Sequence, residues 1–313
     1  MLPDVWGIVL AGGEGSRLLP LTRHITGEDR PKQFCPLTGS RTLLGETLDR
    51  IGALIAPERT LVVGSRAHAA YIERELSTGV PHTLLQPASR GTGPGVLWPV
   101  RRVARRAPEA VVAVFPSDHF IGGARAFLTY VRRAVEIVRT EPDLVVLLGV
   151  EPDGPDGSYG WIEPARPLPA APDCFRVRTF WEKPDAVRAR IFFDSGFLWN
   201  SFVIVARAAT LAALGRRCLP DVDACLAGID AAAGGAADET RAAERAFAAM
   251  REANFSEEVL ARAADSLAVL PVRGVRWSDW GTPERVVKTP LEINAAPRWL
   301  PAWEARMGGT SRV

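Results

Sequence analysis

The segment "VWGIVLAGGEGSRLLPL" (residues 5–21) runs apolar to Ala11, breaks into Gly12, Gly13 and Gly15, and reaches Arg17 two residues later. A buried strand ending in glycines lets backbone N–H groups approach an anion closely, and a guanidinium fork matches phosphate oxygens. The chemistry offered is phosphate binding. Two common phosphate loops are excluded: the third glycine of a dinucleotide fingerprint falls on Leu18, and no Walker-type Lys-Ser/Thr pair follows. Taken alone, the loop reads equally well as a tight turn with a surface arginine.

Further along, other short stretches carry groups that could serve the same reaction. "PKQF" holds Lys32, "PSDHF" holds Asp118 and His119, and "FWEKP" holds Glu182 and Lys183. "FLWNSF" places Asn200 in an apolar run, and "RWSDWG" sets Asp279 between Trp277 and Trp280. Basic residues are almost all arginine; the lysines are Lys32, Lys183 and Lys288. Lysine is a compact point charge that arginine does not replace, so the first two draw interest while Lys288 reads as surface. Each residue also has a plain structural reading. Asp118, after Pro116 and Ser117, could cap a helix. Asp279 could be a hydrogen-bonded core carboxylate, Glu182–Lys183 a surface pair, and Asn200 a partner for buried backbone. His119 reads as structural.

The elements that must position these groups follow from periodicity. Strands are predicted at "WGIVLA", 60–64, 82–87, 110–116 and 144–150, alternating with helices at 42–55, 67–76, 92–107 and 123–140. Such alternation predicts an α/β fold, a Rossmann-like, doubly wound and mostly parallel sheet. Ligands of such sheets bind beyond the strand carboxyl ends, where the glycine loop, Gln86 and Asp118 fall together. The chain reads as one domain over 1–290, with a regular half (1–150) and a less regular half (151–290), followed by a docked or loose tail (291–313). In the second half, 151–157 and 164–173 read as Pro/Gly loops, and 176–184, 197–206, 267–272 and 275–281 as strands. Residues 207–250 read as helical, broken at Pro220 and by a mobile stretch at 227–239. Arg101, Arg102, Arg105 and Arg106 fall on one side of the 92–107 helix and read as a solvated face.

Composition narrows the function classes. The 313 residues are 47% apolar, enough for a substantial core, and the net charge of +2 argues against nucleic acid as a partner. No apolar run reaches the length of a membrane span, and no leader is evident. Cys35, Cys174, Cys218 and Cys225 lack Cys-x-x-Cys spacing. They are expected to be reduced, without zinc, in a cytoplasmic protein.

Together, "VLAGGEGSRLLPLTR…RPKQF", "FPSDHFI", "GSYGWIEP", "FWEKP", "LWNS" and "RWSDWG" resemble, in order and spacing, the sugar-phosphate nucleotidyltransferases. The likeness is greatest to the mannose-1-phosphate guanylyltransferases and covers residues 5 to about 290. The resemblance implies transfer of a nucleotidyl group from a nucleoside triphosphate, here GTP, to a sugar 1-phosphate, here mannose 1-phosphate. It places Leu10, Ala11, Gly12, Gly13, Gly15, Ser16, Gln86, Gly91 and Thr92 on the nucleotide. Arg17 and Lys32 lie on the triphosphate, and Asp118 and Asp279 on a magnesium ion or another divalent cation. Tyr159, Gly160, Glu182, Lys183 and Asn200 frame the sugar phosphate. A homodimer is a further expectation from the family.

Departures from the family pattern leave alternatives open. "QPASRGTGP" stands where guanylyltransferases of this type carry E-P-x-x-R-N-T-A, so Gln86 and Gly91 lie closer to uridylyl- and thymidylyl-transferring relatives. "WNSFVI" stands for W-N-S-G-M-F, with Phe202 in place of glycine on the sugar side. "NFSEEVLARA" scarcely matches S-x-D-Y-x-x-M-E-K, "HITGEDR" lengthens the path from Arg23 to Lys32, and nothing after residue 290 resembles an appended β-helix or cupin domain. The alternatives are glucose 1-phosphate with UTP or dTTP, and an inactive sugar-nucleotide-binding regulator.

Overall fold

The computed structural model describes residues 1–76, 82–232, 235–292 and 297–309. Its strands are β1 (Val5–Ala11), β2 (Thr60–Ser65), β3 (His82–Gln86), β4 (Val111–Pro116), β5 (Phe120–Gly122), β6 (Val145–Val150), β7 (Gly160–Leu168), β8 (Ala171–Glu182), β9 (Leu198–Arg207), β10 (Leu267–Val272) and β11 (Arg276–Ser278). The helices are α1 (Leu19–Thr26), α2 (Leu43–Gly52), α3 (Ala69–Leu76), α4 (Thr92–Arg106), α5 (Ala124–Thr140), α6 (Ala186–Asp194), α7 (Ala208–Cys218), α8 (Pro220–Asp230), α9 (Ala236–Ala249), α10 (Pro283–Glu292) and α11 (Leu300–Gly309).

Continuous apolar strands are buried on both faces, as two separate cores require. Val5 and Val9 of β1 join one core with Phe127, Val131 and Val135 of α5, while Ile8 joins the other with Val96, Val100 and Val103 of α4. The main sheet has nine strands in the order β3-β2-β1-β4-β9-β6-β10-β8-β7. Strands β1, β2, β3 and β4 pair in parallel, as do β6 and β10, while β8 and β9 run against their neighbours. The expected mostly parallel, doubly wound sheet is present. Strand β9 enters between β4 and β6, and β7 also pairs with β9, so β9-β6-β10-β8-β7 closes on itself. The short strands β5 and β11 pair antiparallel beside this sheet.

Three sequence expectations are corrected. Residues 164–173, expected as a loop, belong to the β7–β8 hairpin. Its prolines Pro164 and Pro167 sit where the register shifts, and such irregularities tolerate a missing N–H. The arginine face of α4 is solvated at Arg105 and Arg106, as expected, but it also grips α8 and α9. Arg101 pairs with Asp223 and Asp230, Arg102 with Glu239, and Arg105 with Asp230; Arg101 is only 17% exposed. Those acids come from helices more than a hundred residues away, so local periodicity carried no sign of them. The break at 227–239 is shorter than expected, since α8 runs to Asp230 and α9 starts at Ala236; residues 233 and 234 lie outside the described residues.

The tail docks over the described stretch 297–309. The Trp299 indole donates to the Leu37 carbonyl at 2.9 Å, and buried Trp303 meets the His24 ring edge-on at 5.4 Å. All four cysteines are free, and burial pushes the thiols of Cys35 and Cys174 up to about 12. Among the described residues, no helix is long and apolar enough to cross a membrane.

Candidate active site

Beyond the carboxyl ends of β1 and β4 lies a cavity of about 270 Å³. Its walls include Leu10, Gly12 and Gly13 from the glycine loop, Thr92 from α4 and Asp118 after β4. Tyr159 and Gly160, Glu182, Asn200 and Asp279 complete the far side. A smaller cavity of about 170 Å³ shares Leu10, Gly12, Gly13 and Thr92 with it and adds Gln86 and Gly91. The two form one cleft at the position such sheets reserve for ligands.

Local hydrogen bonds fix the glycine loop. Gln33 donates to the carbonyls of Ala11 at 3.1 Å and Gly13 at 2.7 Å, sewing the "PKQF" turn to the strand end. Ser117 donates to the Leu10 carbonyl at 2.7 Å and ties in the end of β4. Gly15 holds a left-handed φ of 62°, and a Cβ there would lie 3.2 Å from the Lys32 amide nitrogen. Gly91 has φ 79°, and a Cβ there would fall 2.4 Å from the Ala253 carbonyl oxygen. Both positions therefore need glycine.

A cluster of charges backs the cavity. Lys32 is buried; its ammonium lies 3.1 Å from Asp118 and donates to the carbonyls of Asp279 at 2.5 Å and Trp280 at 3.3 Å. Arg285 of α10 reaches Asp279 at 2.8 Å and Ser158 at 2.6 Å, pairs with Asp156, and stacks over the Tyr159 ring at 4.5 Å. Asp279 also accepts from Tyr159 Oη at 3.1 Å and from the Gly281 amide at 2.9 Å. Burial opposes ionisation of both acids, but Lys32 and His119 hold Asp118 below the ordinary carboxylate range, and His119, Arg285 and Lys32 do the same for Asp279. Burial lowers the His119 imidazole pKa against the pull of Asp118, whose Oδ1 lies 3.7 Å from Nε2. Two ionised aspartates lining one cavity, Asp118 beside the glycine loop and Asp279 on the far side, are donors of the kind a hard divalent cation takes when substrate phosphates supply the rest of its shell. Among the described residues, no cluster of three His, Cys, Asp or Glu could hold an ion alone.

Backbone strain collects at this site. The non-glycine residues with left-handed φ among those described are Lys183 (45°), Phe202 (60°) and Trp280 (46°). They fall one or two positions after Glu182, Asn200 and Asp279 respectively. Each such conformation costs about 1–3 kcal/mol and persists where its surroundings over-determine it.

The structure thus gathers ten residues named from sequence on the main cavity: Leu10, Gly12, Gly13, Thr92, Asp118, Tyr159, Gly160, Glu182, Asn200 and Asp279. Gln86 and Gly91 line the adjoining one. Lys32 stands behind the wall, Ala11 is buried in the core, and Gly15 packs on Lys32. Ser16 and Arg17 are exposed on the turn after the loop and do not line the cavity. Lys183 is 59% exposed and pairs with Glu182 at 3.1 Å. Sequence reasoning missed Gln33, Ser256 and Arg285. Gln33 was signalled by its place inside "PKQF". Ser256 lies in "NFSEEVLARA", too far from the family motif to single it out, and Arg285 lies in a stretch without a motif; only the fold brings them to the cleft.

The sheet and the glycine loop at its strand ends are those of a nucleotidyl transferase. The chain belongs to the nucleotidyl transferase family, which matches residues 6–295. Among its relatives is the xanthan biosynthesis protein XanB of Xanthomonas campestris pv. campestris (strain B100), 33% identical over 288 residues, covering 90% of this chain and 58% of the relative. The mannose-1-phosphate guanylyltransferase of Escherichia coli (strain K12) is 31% identical over 287 residues, covering 89% and 58%. A crystal structure from Thermus thermophilus, described as a mannose-1-phosphate geranyltransferase, superposes with a TM-score of 0.77 at 33% identity, covering 90% of this chain and 79% of that one. The chain spans less than two thirds of the length of the two curated relatives.

Proposed function

We propose that this protein transfers a nucleotidyl group from a nucleoside triphosphate to a sugar 1-phosphate, with GTP and mannose 1-phosphate as the leading pair. One observation carries the reading: a single cavity is walled at once by the glycine loop, by Asp118 and Asp279, and by Glu182 and Asn200.

A phosphate monoester has its second pKa near about 6, so the attacking oxygen is already ionised at neutral pH and needs no general base. It attacks the α-phosphorus, and the bond to the β-phosphate oxygen breaks to release pyrophosphate. The residues must bring two anions together and hold them in line. Amides of Gly12 and Gly13 receive phosphate oxygens, and Arg17 and Lys32 supply positive charge on the triphosphate side. Glu182 and Asn200 hold sugar hydroxyls, and Lys183 offsets the charge of the sugar phosphate. A divalent cation such as magnesium, held by Asp118 and Asp279, would withdraw charge from the phosphate oxygens.

A second reading, with UTP or dTTP, has an observation of its own. Gln86 is buried beside the smaller cavity, and its side-chain nitrogen lacks a hydrogen-bond partner. A carboxamide offers a donor and an acceptor together, which matches an edge carrying C=O next to N–H. Uracil and thymine present that edge with no further donor, whereas guanine adds a 2-amino donor beside N1–H that the carboxamide leaves unmatched; adenine and cytosine lack the edge.

The test is pyrophosphate release in magnesium, measured for five nucleoside triphosphates against a panel of sugar 1-phosphates. Dominant turnover with GTP and mannose 1-phosphate is expected. Dominance of UTP or dTTP would favour the second reading, and no turnover from folded protein with any pair would refute both.

A further inference from the structure

Strand β9 does not run straight past the cavity. Leu147 of β6 stands opposite Ile204 and Gly149 opposite Asn200, so Ser201, Phe202 and Val203 together oppose the single residue Leu148. Ser201 fills part of the gap by donating to the Leu148 carbonyl at 2.6 Å and accepting from the Val203 amide at 3.2 Å. Asn200 Oδ1 accepts from the Phe202 amide at 3.1 Å. These bonds hold Phe202 at φ 60°, a conformation that glycine adopts freely and a phenylalanine does not.

The bulge turns Phe202 onto the cavity wall beside Asn200 and Ser256. Its ring packs edge-on against Phe255 at 6.2 Å. Phe255 is itself fixed to the nucleotide side, since its amide donates to Thr92 Oγ1 at 2.8 Å and the neighbouring Ala253 bonds both Arg90 and Gly93. The ring cannot swing aside without disturbing the segment that clasps Thr92. The main cavity, at about 270 Å³, lies just under the usual range of about 300–1,000 Å³ for ligand pockets.

We propose that Phe202 determines specificity, closing the sugar side of the cleft so that unsubstituted hexose 1-phosphates are accepted and N-acetylated ones are excluded. The inference rests on the sugar 1-phosphate reading above. It adds the size limit and the residue that sets it. Strain retained in a bulky side chain at a ligand wall is what such a role requires, because a glycine would relieve the strain and enlarge the pocket.

The test compares wild type, Phe202→Gly and the bulk-retaining Phe202→Leu. The ratio of kcat/KM for a hexose 1-phosphate over the matching N-acetylhexosamine 1-phosphate is measured with the nucleotide that wild type prefers. Wild type and Phe202→Leu should favour the plain hexose by about 100-fold or more, within reach of steric exclusion. Phe202→Gly should cut the ratio at least tenfold by raising kcat/KM for the N-acetyl substrate. A ratio equal in all three proteins would overturn the proposal. Calorimetric binding of a nucleoside-diphosphate hexose and of its N-acetyl counterpart keeps the size limit testable if turnover is absent. There, tighter binding of the plain compound by wild type, lost in Phe202→Gly, supports the proposal, and equal preference in both proteins refutes it.

Discussion

The ammonium of Lys32 lies 3.1 Å from the carboxylate of Asp118. The same ammonium is bound to main-chain carbonyls of Asp279 and Trp280, so one lysine joins the ends of three separate sequence motifs. The lysine that pairs with the acid on the first half of the chain is thereby bonded to the main chain at the acid on the second, and both residues line one cleft.

Replacing Asp118 by Asn keeps the shape and removes the charge. Turnover should fall by about 100-fold or more, the scale for losing an electrostatic group that acts in the transition state. Lys32 keeps its two carbonyl acceptors, so circular dichroism should report a folded protein. Chelation of divalent cations should abolish wild-type turnover, and added magnesium should restore it. Near-normal rates for Asp118→Asn in magnesium would remove this carboxylate from the reaction.

The Arg285–Asp279 pair predicts how stability depends on pH. Burial raises the Asp279 carboxyl, and His119, Arg285 and Lys32 bring it below its ordinary value of about 3.9. A depressed carboxyl stabilises the fold fully above that ordinary value, and the stabilisation is lost as pH falls through the depressed one. Arg285→Ala should therefore lower the unfolding free energy near neutral pH by about 1.5–3 kcal/mol, the worth of a charged hydrogen bond. The difference from wild type should shrink below about pH 4. Urea unfolding across pH measures this, and an undiminished difference in strong acid would contradict it.

Base choice should turn on Gln86. A carboxylate at this position accepts from two donors, as guanine N1–H and the 2-amino group provide, whereas the amide suits a mixed edge. Gln86→Glu should raise the kcat/KM ratio of GTP over UTP at least tenfold. A ratio unmoved by the substitution would place base recognition elsewhere.

Lys183 is mostly exposed and pairs only with its neighbour Glu182 among the described contacts. Lys183→Ala should leave the melting temperature unchanged. The KM for the sugar phosphate should rise and kcat should fall, because charge on the incoming phosphate is no longer offset. An effect confined to the nucleotide KM would refute this role.

Much of this site was legible in the sequence because each motif sits at the end of an element whose period is itself legible. Gly12 and Asp118 follow apolar runs that read as strands, and the fold puts both strand ends on one rim. Asn200 was visible as a polar residue in an apolar strand. The direction and place of that strand were not, since burial on both faces looks alike in any register. Arg285 escaped because its partners Asp156, Ser158, Tyr159 and Asp279 lie in other elements, and helix periodicity says nothing of them. The ion pairs of Arg101 and Arg102 were hidden for the same reason. Phe202 was visible as a departure from the family's glycine, but its left-handed backbone follows from a bulge that only pairing with β6 reveals.

In the proposed reaction the nucleotidyl group, with its α-phosphate, moves onto a sugar phosphate. That transfer can be followed with α-³²P-labelled nucleoside triphosphate, sugar 1-phosphate and magnesium, by chromatography of the products. Label should appear in a nucleoside-diphosphate sugar, one for each pyrophosphate released, and only when the sugar 1-phosphate is present. Label recovered as nucleoside monophosphate, or pyrophosphate released at the same rate without the sugar, would contradict it.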